Sequence, residues 1–307
     1  LAEHPGSHLY RMGIGDVSLP LCDAVIKALH EAVNDQASKN TFHGYMPECG
    51  DPALRGTIAN YYMNRGVELS DEEVFVSSGA SDELGDILDL FGRDKTVLIM
   101  EPAYPAYVDA NIIAGNKIIH MPAGKENGFL PMPNPSITAD VIYICSPNNP
   151  TGAVFDYKKL QAWVDYADST DAIILFDAAY EAFIEEDDIP HSIYEVNGAK
   201  KCAIEICSLS KTAGFTGTRC GYTVIPKELE RDGMNLNQMW VRNRTTKTNG
   251  VSYIIQKGAA AIFTEEGQKQ IHDNIKIYKQ NATCLMEALD TLGIWYCGGK
   301  NAPYIWM

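Results

Sequence analysis

Basic residues are scarce in this sequence and are nowhere clustered. The 307 residues include 25 Lys and Arg against 40 Asp and Glu, which gives a formal net charge of −15. A surface of this sign repels nucleic-acid phosphates and anionic membranes, so both classes of partner are disfavoured. The sequence also lacks any apolar segment that approaches the length needed to span a bilayer.

The eight cysteines include no CxxC pair and no His/Cys cluster with zinc spacing. Several lie in apolar runs, where a reduced cysteine acts as a small hydrophobic residue. We therefore expect no metal and a reducing compartment, either the cytoplasm or, in a photosynthetic eukaryote, the plastid stroma. The chain begins at Leu1 without a signal-peptide pattern and stops within "NAPYIWM", so we expect both ends to be truncated.

Nucleotide-binding motifs are absent as well. No GxGxxG follows the first β-rich run and no Walker A lysine motif occurs, which sets aside a Rossmann-type nucleotide enzyme. What the sequence does contain is an alternation of short β-rich runs with longer helix-like segments such as 81–92 and 156–170. The β-rich runs are 73–79, 96–102, 116–122, 140–147, 172–180, 202–210 and 221–226.

Several of these runs are apolar at consecutive positions, as strands covered on both faces are. Seven strands with helical crossovers predict an α/β fold with a mostly parallel seven-stranded sheet and helices on both faces. The segment 265–293 predicts a long helix that ends at Gly293. We place a large domain at 40–262, and we assign 1–39 and 263–307 to a smaller, incomplete domain and its connecting helix.

Ligands of such sheets bind beyond the carboxyl ends of the strands. After the run 202–210 comes Lys211, which alone is more often a surface lysine than a functional one. Its neighbours Ser208, Ser210 and Arg219 offer two hydroxyls and a bidentate cation, which together suit a phosphate dianion. A desolvated lysine near another cation has a lowered pKa and can form a Schiff base with an aldehyde.

Asp177 ends another apolar run, where a carboxylate is costly unless it is paired. It could face a protonated pyridine nitrogen, with Tyr180 reaching the phenolic oxygen of the same ring. It could equally be a helix N-cap beside a packing tyrosine. In "CSPNNPTG" (145–152), Asn149 precedes Pro150, a natural site for a constrained peptide bond, and its amide could donate to a ring oxygen.

Two further strand ends complete the pattern. In "SSGAS" (77–81), backbone N–H groups of Ala80 and Ser81 at a helix start would cradle a phosphate. In "EPAYPAY" (101–107), Tyr104 could stack on a planar ring, although most such tyrosines only pack. Taken together, the strand ends favour one ligand, a phosphorylated planar aldehyde bound to a lysine.

These segments resemble those of the class I/II aminotransferases, which are pyridoxal-phosphate enzymes of fold type I. The resemblance runs over essentially the whole chain, and "CSPNNPTG" with "SKTAGFTGTRCG" (210–221) is its most specific part. The other matching segments are 11–33, 44–62, 101–115 and 298–307. The resemblance implies the fold type I architecture, pyridoxal 5'-phosphate as cofactor, amino-acid and keto-acid substrates, and a homodimer with shared active sites.

The resemblance also implies a role for each matching residue. Lys211 would bind the cofactor aldehyde and then move the proton, Asp177 would hold the pyridine nitrogen, and Tyr104 would stack on the ring. The phosphate would be held by Ala80, Ser81, Ser208, Ser210, Arg219 and, from the second subunit, Tyr45. The ring oxygen would be held by Asn149 and Tyr180. The substrate would contact Gly15, Glu48, Ser81, Tyr104, Asn149 and Asn249.

Within this family the closer match is to members that act on LL-diaminopimelate. The implied reaction exchanges LL-2,6-diaminopimelate and 2-oxoglutarate with tetrahydrodipicolinate and glutamate, a step of lysine biosynthesis. Glu48 would read the distal ammonium group of the substrate from across the dimer interface. Two features depart from the pattern: Ser81 stands where the family usually has lysine, and the arginine that clamps the substrate carboxylate is expected beyond residue 307.

Three alternatives stay open on the sequence alone. The first is another class I/II aminotransferase, of aspartate, aromatic or alanine type. The second is a carbon–sulfur lyase on the same fold. The third is an inactive, truncated homologue, although the presence of Lys211, Asp177 and Arg219 speaks against a decayed cofactor site.

Overall fold

The structure, a computed structural model, describes Gly6, His8, Gly13 and residues 15–307. Its central feature is a seven-stranded sheet, and every strand lies in one of the β-rich runs of the sequence. The strands are β1 (Val74–Ser77), β2 (Thr96–Glu101), β3 (Lys117–Pro122), β4 (Val141–Cys145), β5 (Ile173–Asp177), β6 (Ala203–Ser208) and β7 (Gly221–Val224). The predicted sheet is confirmed.

The sheet has the order β1-β7-β6-β5-β4-β2-β3. Strand β7 runs antiparallel to β1 and β6, and the remaining neighbours pair in parallel. All residues of β4, β5 and β6 are buried, because helices and loops cover both faces of the sheet. This double coverage explains the unbroken apolar runs.

Nine α-helices lie within the described residues. They are α1 (Asp23–Asp35), α2 (Pro52–Met63), α3 (Ala80–Asp86), α4 (Pro105–Ala114), α5 (Tyr157–Thr170), α6 (Leu209–Ala213), α7 (Leu236–Lys247), α8 (Tyr253–Ile262) and α9 (Glu265–Thr291). The expected helix at 156–170 is α5, and the side chain of Asp156 accepts a hydrogen bond from the Lys159 N–H, 2.8 Å away. The expected helix at 81–92 is shorter, because α3 ends at Asp86 and a 3-10 turn, Ile87–Leu90, follows.

The predicted C-terminal helix is α9, and Gly293 follows it with a left-handed φ of 67°. A small hairpin comes next, in which the short strand Cys297–Gly298 pairs with Ile305–Trp306. None of the helices in the described residues combines the length and the apolar character needed to cross a membrane. The division into domains at residues 40 and 262 stays a prediction. Most of the first fourteen residues of the chain, which belong to the predicted smaller domain, lie outside the described residues.

The C-terminal hairpin packs on the loop that follows β4. A Cβ atom added to Gly152 would lie 2.5 Å from the backbone oxygen of Tyr304, so only a glycine allows this approach. The Cys297 thiol contacts the Thr151 carbonyl oxygen at 3.3 Å. The hairpin therefore reaches the edge of the sheet where the strand-end residues lie.

Candidate active site

Strands β4, β5 and β6 are parallel neighbours, and their carboxyl ends form one edge of the sheet. Cys145 pairs in register with Asp177, and Asp177 with Ile206, two residues before the end of β6. The loops and helices that follow these strands carry the predicted residues of the cofactor site. The fold thus brings three separate segments of the chain to one place, as expected for this type of sheet.

Asp177 is buried at the end of β5, and two donors hold its carboxylate. The Tyr107 hydroxyl donates to Oδ2 at 2.6 Å, and the Ala179 N–H donates to Oδ1 at 3.0 Å. Burial raises the pKa of Asp177 above its usual value, while the two hydrogen bonds act in the opposite direction. A buried carboxylate of this kind is stabilised when a cation approaches it. Asp177 is therefore suited to pair with a protonated ring nitrogen.

Asn149 and Tyr180 meet at the same edge. The Asn149 amide donates to the Tyr180 hydroxyl at 3.2 Å, and the Asn149–Pro150 peptide bond is cis. The Tyr180 hydroxyl also lies 2.7 Å from the hydroxyl of Tyr304, a residue of the C-terminal hairpin. The structure therefore brings together the two predicted ring-oxygen donors, an amide and a hydroxyl, and adds a second hydroxyl that the sequence did not indicate.

Lys211 lies on the short helix α6, directly after β6. The Ser208 side chain caps this helix by accepting from the Ser210 N–H at 3.2 Å. The Lys211 ammonium donates to the Gly15 carbonyl oxygen at 2.8 Å. Burial lowers the pKa of Lys211, the Arg219 charge lowers it further, and the Asp16 charge opposes both. Gly15 and Lys211, predicted to serve one site, are thus in direct contact.

Arg219 adopts a left-handed backbone conformation with a φ of 60°, which is uncommon for a residue with a side chain. Its guanidinium donates to Ser210 Oγ at 3.0 Å and to the Thr216 carbonyl oxygen at 3.3 Å. A Cβ atom on Gly79 would lie 2.5 Å from Nη2 of Arg219, so the guanidinium rests on the turn before α3. Within residues 15–307, no carboxylate forms an ion pair with Arg219.

The start of α3 completes this side of the site. Ala80 and Ser81 are its first two residues, and Gly79 precedes them with a φ of 118°. The Ser81 hydroxyl lies 3.3 Å from the hydroxyl of Tyr104, the residue before α4. Ser81 and Tyr104 are thus in contact close to Gly79, the residue on which the Arg219 guanidinium rests.

Tyr45, Glu48 and Asn249 lie elsewhere. Tyr45 is 90% exposed, Asn249 is exposed, and Glu48 is half-buried. The loops of Glu48 and Asn249 touch each other, because a Cβ on Gly250 would lie 2.7 Å from the Pro47 carbonyl oxygen. Among the described residues, no hydrogen bond links these three side chains to the cluster around Lys211.

The residues at this edge suit a phosphorylated pyridine aldehyde. The guanidinium of Arg219, which has no carboxylate partner among residues 15–307, and the hydroxyls of Ser208 and Ser210 suit a phosphate dianion. Lys211 supplies an amine of lowered pKa for the aldehyde. The buried carboxylate of Asp177 suits the ring nitrogen.

Comparison with known proteins agrees with this chemistry. The family model "Aminotransferase class I and II" matches residues 7–307. The chain belongs to this family. Class I and II aminotransferases transfer amino groups between amino acids and keto acids and depend on pyridoxal phosphate. The chain is therefore a transaminase with the α/β fold of that class.

Individual relatives of this aminotransferase are similar over nearly all of its length. It is 50% identical to the LL-diaminopimelate aminotransferase of Lawsonia intracellularis, over 99% of this chain and 78% of that protein. The structure of L,L-diaminopimelate aminotransferase from Chlamydomonas reinhardtii superposes with a TM-score of 0.92 at 36% identity, over 99% and 77% of the chains. An aromatic aminotransferase from Pyrococcus horikoshii superposes with a TM-score of 0.82 at 27% identity, over 94% and 76%.

Two residues of the candidate site are not among those that the sequence predicts. Tyr107, which donates to Asp177, is the second tyrosine of "EPAYPAY". It lies in the first turn of α4, three positions after Tyr104, and is buried against the sheet, a helical spacing that the sequence already shows. Tyr304 gave no signal of its own, because its role depends on the docking of a hairpin more than a hundred residues away from Tyr180.

Proposed function

We propose that this chain is an LL-diaminopimelate aminotransferase that uses pyridoxal 5'-phosphate. The reaction exchanges LL-2,6-diaminopimelate and 2-oxoglutarate with tetrahydrodipicolinate and glutamate. Support for the substrate comes from relatives named for this activity, which are 45% to 50% identical over 99% of the chain. The observation that carries the chemistry is Lys211, an amine without a carboxylate partner among residues 15–307, at the sheet edge that also holds the buried Asp177.

The phosphate side of the proposed site is built from β6, α6 and the start of α3. Arg219 would give a bidentate contact, and Ser208 and Ser210 would donate their hydroxyls. Ala80 and Ser81 begin α3 directly after Gly79, which lies against the Arg219 guanidinium, and their N–H groups would add donors. When bound, pyridoxal phosphate supplies an electron sink that stabilises negative charge on the substrate carbon.

Lys211 would act at the aldehyde carbon of the cofactor. Because its pKa is lowered, a larger fraction is the neutral amine near neutral pH, the form that both attacks an aldehyde and accepts a proton. Asp177 would keep the ring nitrogen protonated. Asn149 and Tyr180 would hold the ring oxygen, and Tyr104 would cover the ring face.

The substrate side requires a second copy of the chain. Tyr45 is 90% exposed although it is aromatic, which supports a role at a surface that a second copy covers. Glu48 and Asn249, on loops that touch, would then face the active site of the other copy. An acidic residue there would attract the distal ammonium group of diaminopimelate.

Transamination rates with different amino donors test which substrate the enzyme uses. We expect LL-diaminopimelate with 2-oxoglutarate to be converted faster than aspartate or phenylalanine. Glu48→Gln should raise the KM for diaminopimelate about tenfold or more, because it removes a charge partner. Glu228→Gln, an exposed glutamate after β7, is the matched control. Turnover of aspartate or phenylalanine without turnover of diaminopimelate would refute the substrate assignment.

A second candidate is a class I/II aminotransferase with another amino donor. Ser81 favours it, because the Ser81 hydroxyl near Tyr104 offers no charge to a distal carboxylate. The same rate comparison separates the two. A carbon–sulfur lyase would convert cystathionine and water to homocysteine, pyruvate and ammonia, with no need for a keto-acid co-substrate. An inactive homologue would give no visible absorbance with pyridoxal phosphate, or an absorbance that Lys211→Ala leaves unchanged.

A further inference from the structure

Tyr304 reaches the candidate site from the C-terminal hairpin. Its hydroxyl lies 2.7 Å from the Tyr180 hydroxyl, and the two rings meet edge to face with centroids 5.1 Å apart. The two residues are 124 positions apart in the sequence. Tyr304 is half-buried, and none of the roles described above requires it.

Close packing fixes the position of Tyr304. Its carbonyl oxygen accepts from the Gly299 N–H at 2.7 Å and lies against Gly152, where a Cβ would come within 2.5 Å. Its hydroxyl lies against Gly15, where a Cβ would come within 2.4 Å. Gly15 in turn accepts the hydrogen bond of Lys211. The Tyr304 hydroxyl therefore occupies a defined place between the lysine and Tyr180.

The number of hydrogen bonds that Tyr180 can form indicates what the Tyr304 hydroxyl does at this position. A phenol has one proton to donate and two lone pairs that accept. Asn149 already donates to one lone pair. Burial raises the pKa of Tyr180 and of Tyr304, so both remain neutral phenols. A proton from Tyr304 would fill the second lone pair and leave the Tyr180 proton free for another acceptor.

We propose that Tyr304 is a positioning residue, which donates to Tyr180 and so directs the Tyr180 proton to the ring oxygen of the cofactor. This inference rests on the cofactor part of the proposed function and not on the amino donor. It predicts that Tyr304 acts only through Tyr180. A chain of hydroxyls of this kind strengthens its terminal hydrogen bond, because each donor polarises the next.

The readout is the pH midpoint of the visible absorbance of the cofactor bound to Lys211. A hydrogen bond donated to the ring oxygen favours the form of the bound cofactor in which that oxygen carries the negative charge. Weakening this hydrogen bond therefore moves the midpoint to higher pH. Tyr304→Phe should raise the midpoint by about half a unit, and Tyr180→Phe should raise it more. In the Tyr180→Phe background, Tyr304→Phe should change nothing.

Two further variants complete the experiment. Gly15→Ala pushes the Tyr304 hydroxyl aside without removing it and should raise the midpoint as well, which keeps the test valid should Tyr304→Phe fold poorly. Tyr296 is a half-buried tyrosine near the same hairpin, and its hydroxyl donates to Asp290; Tyr296→Phe should leave the midpoint unchanged. An unchanged midpoint in Tyr304→Phe, or an equal shift in the Tyr180→Phe background, overturns the inference. Failure of the native chain to bind the cofactor at all overturns the proposed function instead.

Discussion

Tyr107→Phe tests the electrostatic state of Asp177. The change removes the hydroxyl that donates to Asp177 at 2.6 Å and leaves the ring, which stacks on Tyr143 with centroids 4.8 Å apart. A hydrogen bond to a charged group contributes about 1.5 to 3 kcal/mol, which corresponds to roughly one to two pKa units. Burial already raises the pKa of Asp177, and losing this donor raises it further.

The sign of the pH dependence follows from linkage. A carboxyl group whose pKa is raised by folding contributes stability that is fully present below its unfolded pKa and is lost as pH rises through the folded pKa. In Tyr107→Phe the folded-state pKa of Asp177 is higher by roughly one to two further units, so more stability is lost as pH rises. The stability gap between native and variant protein should therefore be small at acid pH, and it should grow as pH rises through the folded pKa of Asp177.

Urea unfolding of the cofactor-free protein measures this gap, from about pH 5 to about pH 8. Tyr194→Phe is the control, because its buried hydroxyl donates to two neutral carbonyl oxygens, those of Ala203 and Val224. It should lose about 1 kcal/mol at every pH. A Tyr107→Phe gap that does not change with pH, or that is largest at acid pH, would show that Asp177 does not titrate over this range as expected and would refute the reasoning.

Two further predictions concern the phosphate side and the lysine. Gly79→Ala places a Cβ 2.5 Å from Arg219 Nη2 and should weaken pyridoxal-phosphate binding roughly 10- to 100-fold in a fluorescence titration, whereas Gly85→Ala, an open position on the same helix, should not. Equal affinities would exclude Arg219 from phosphate binding. Asp16→Asn should lower the pKa of Lys211 further, so the pH midpoint for the rate of cofactor capture should move down, by less in high salt. An upward movement would contradict the assigned role of Asp16.

The sheet was predictable from the sequence because its strands are buried on both faces. Continuous apolar runs leave little ambiguity when turns and helix-like segments separate them. The antiparallel direction of β7 could not be read, since the sequence pattern of a strand is the same in both directions. The early end of α3 was not predictable from the sequence either. Gly85 weakens a helix only slightly, and the point at which α3 ends depends on tertiary packing.

The site was predictable where the chemistry sits directly after a strand. Asp177 ends β5, and Lys211 and Asn149 come shortly after β6 and β4, so the topology alone brings them together. Tyr107 and Tyr304 act through contacts made across the fold, and a tyrosine at such a position has no distinct sequence pattern. The left-handed conformation of Arg219 likewise depends on the turn around it.

The site is assembled from the two ends of the described chain as well as from its centre. Lys211 bonds to Gly15 across 196 positions, and Tyr180 to Tyr304 across 124. The segment that carries Tyr304 is also held by Asn301, which is buried and bonds to the Glu185 N–H at 3.2 Å and to Glu186 at 2.5 Å. Contacts this distant cost loop-closure entropy and form only when most of the chain is in place. Binding of pyridoxal phosphate should therefore report on the folding of the whole described chain, because Lys211 and Tyr180, the proposed amine and ring-oxygen donor, are held by these long-range contacts.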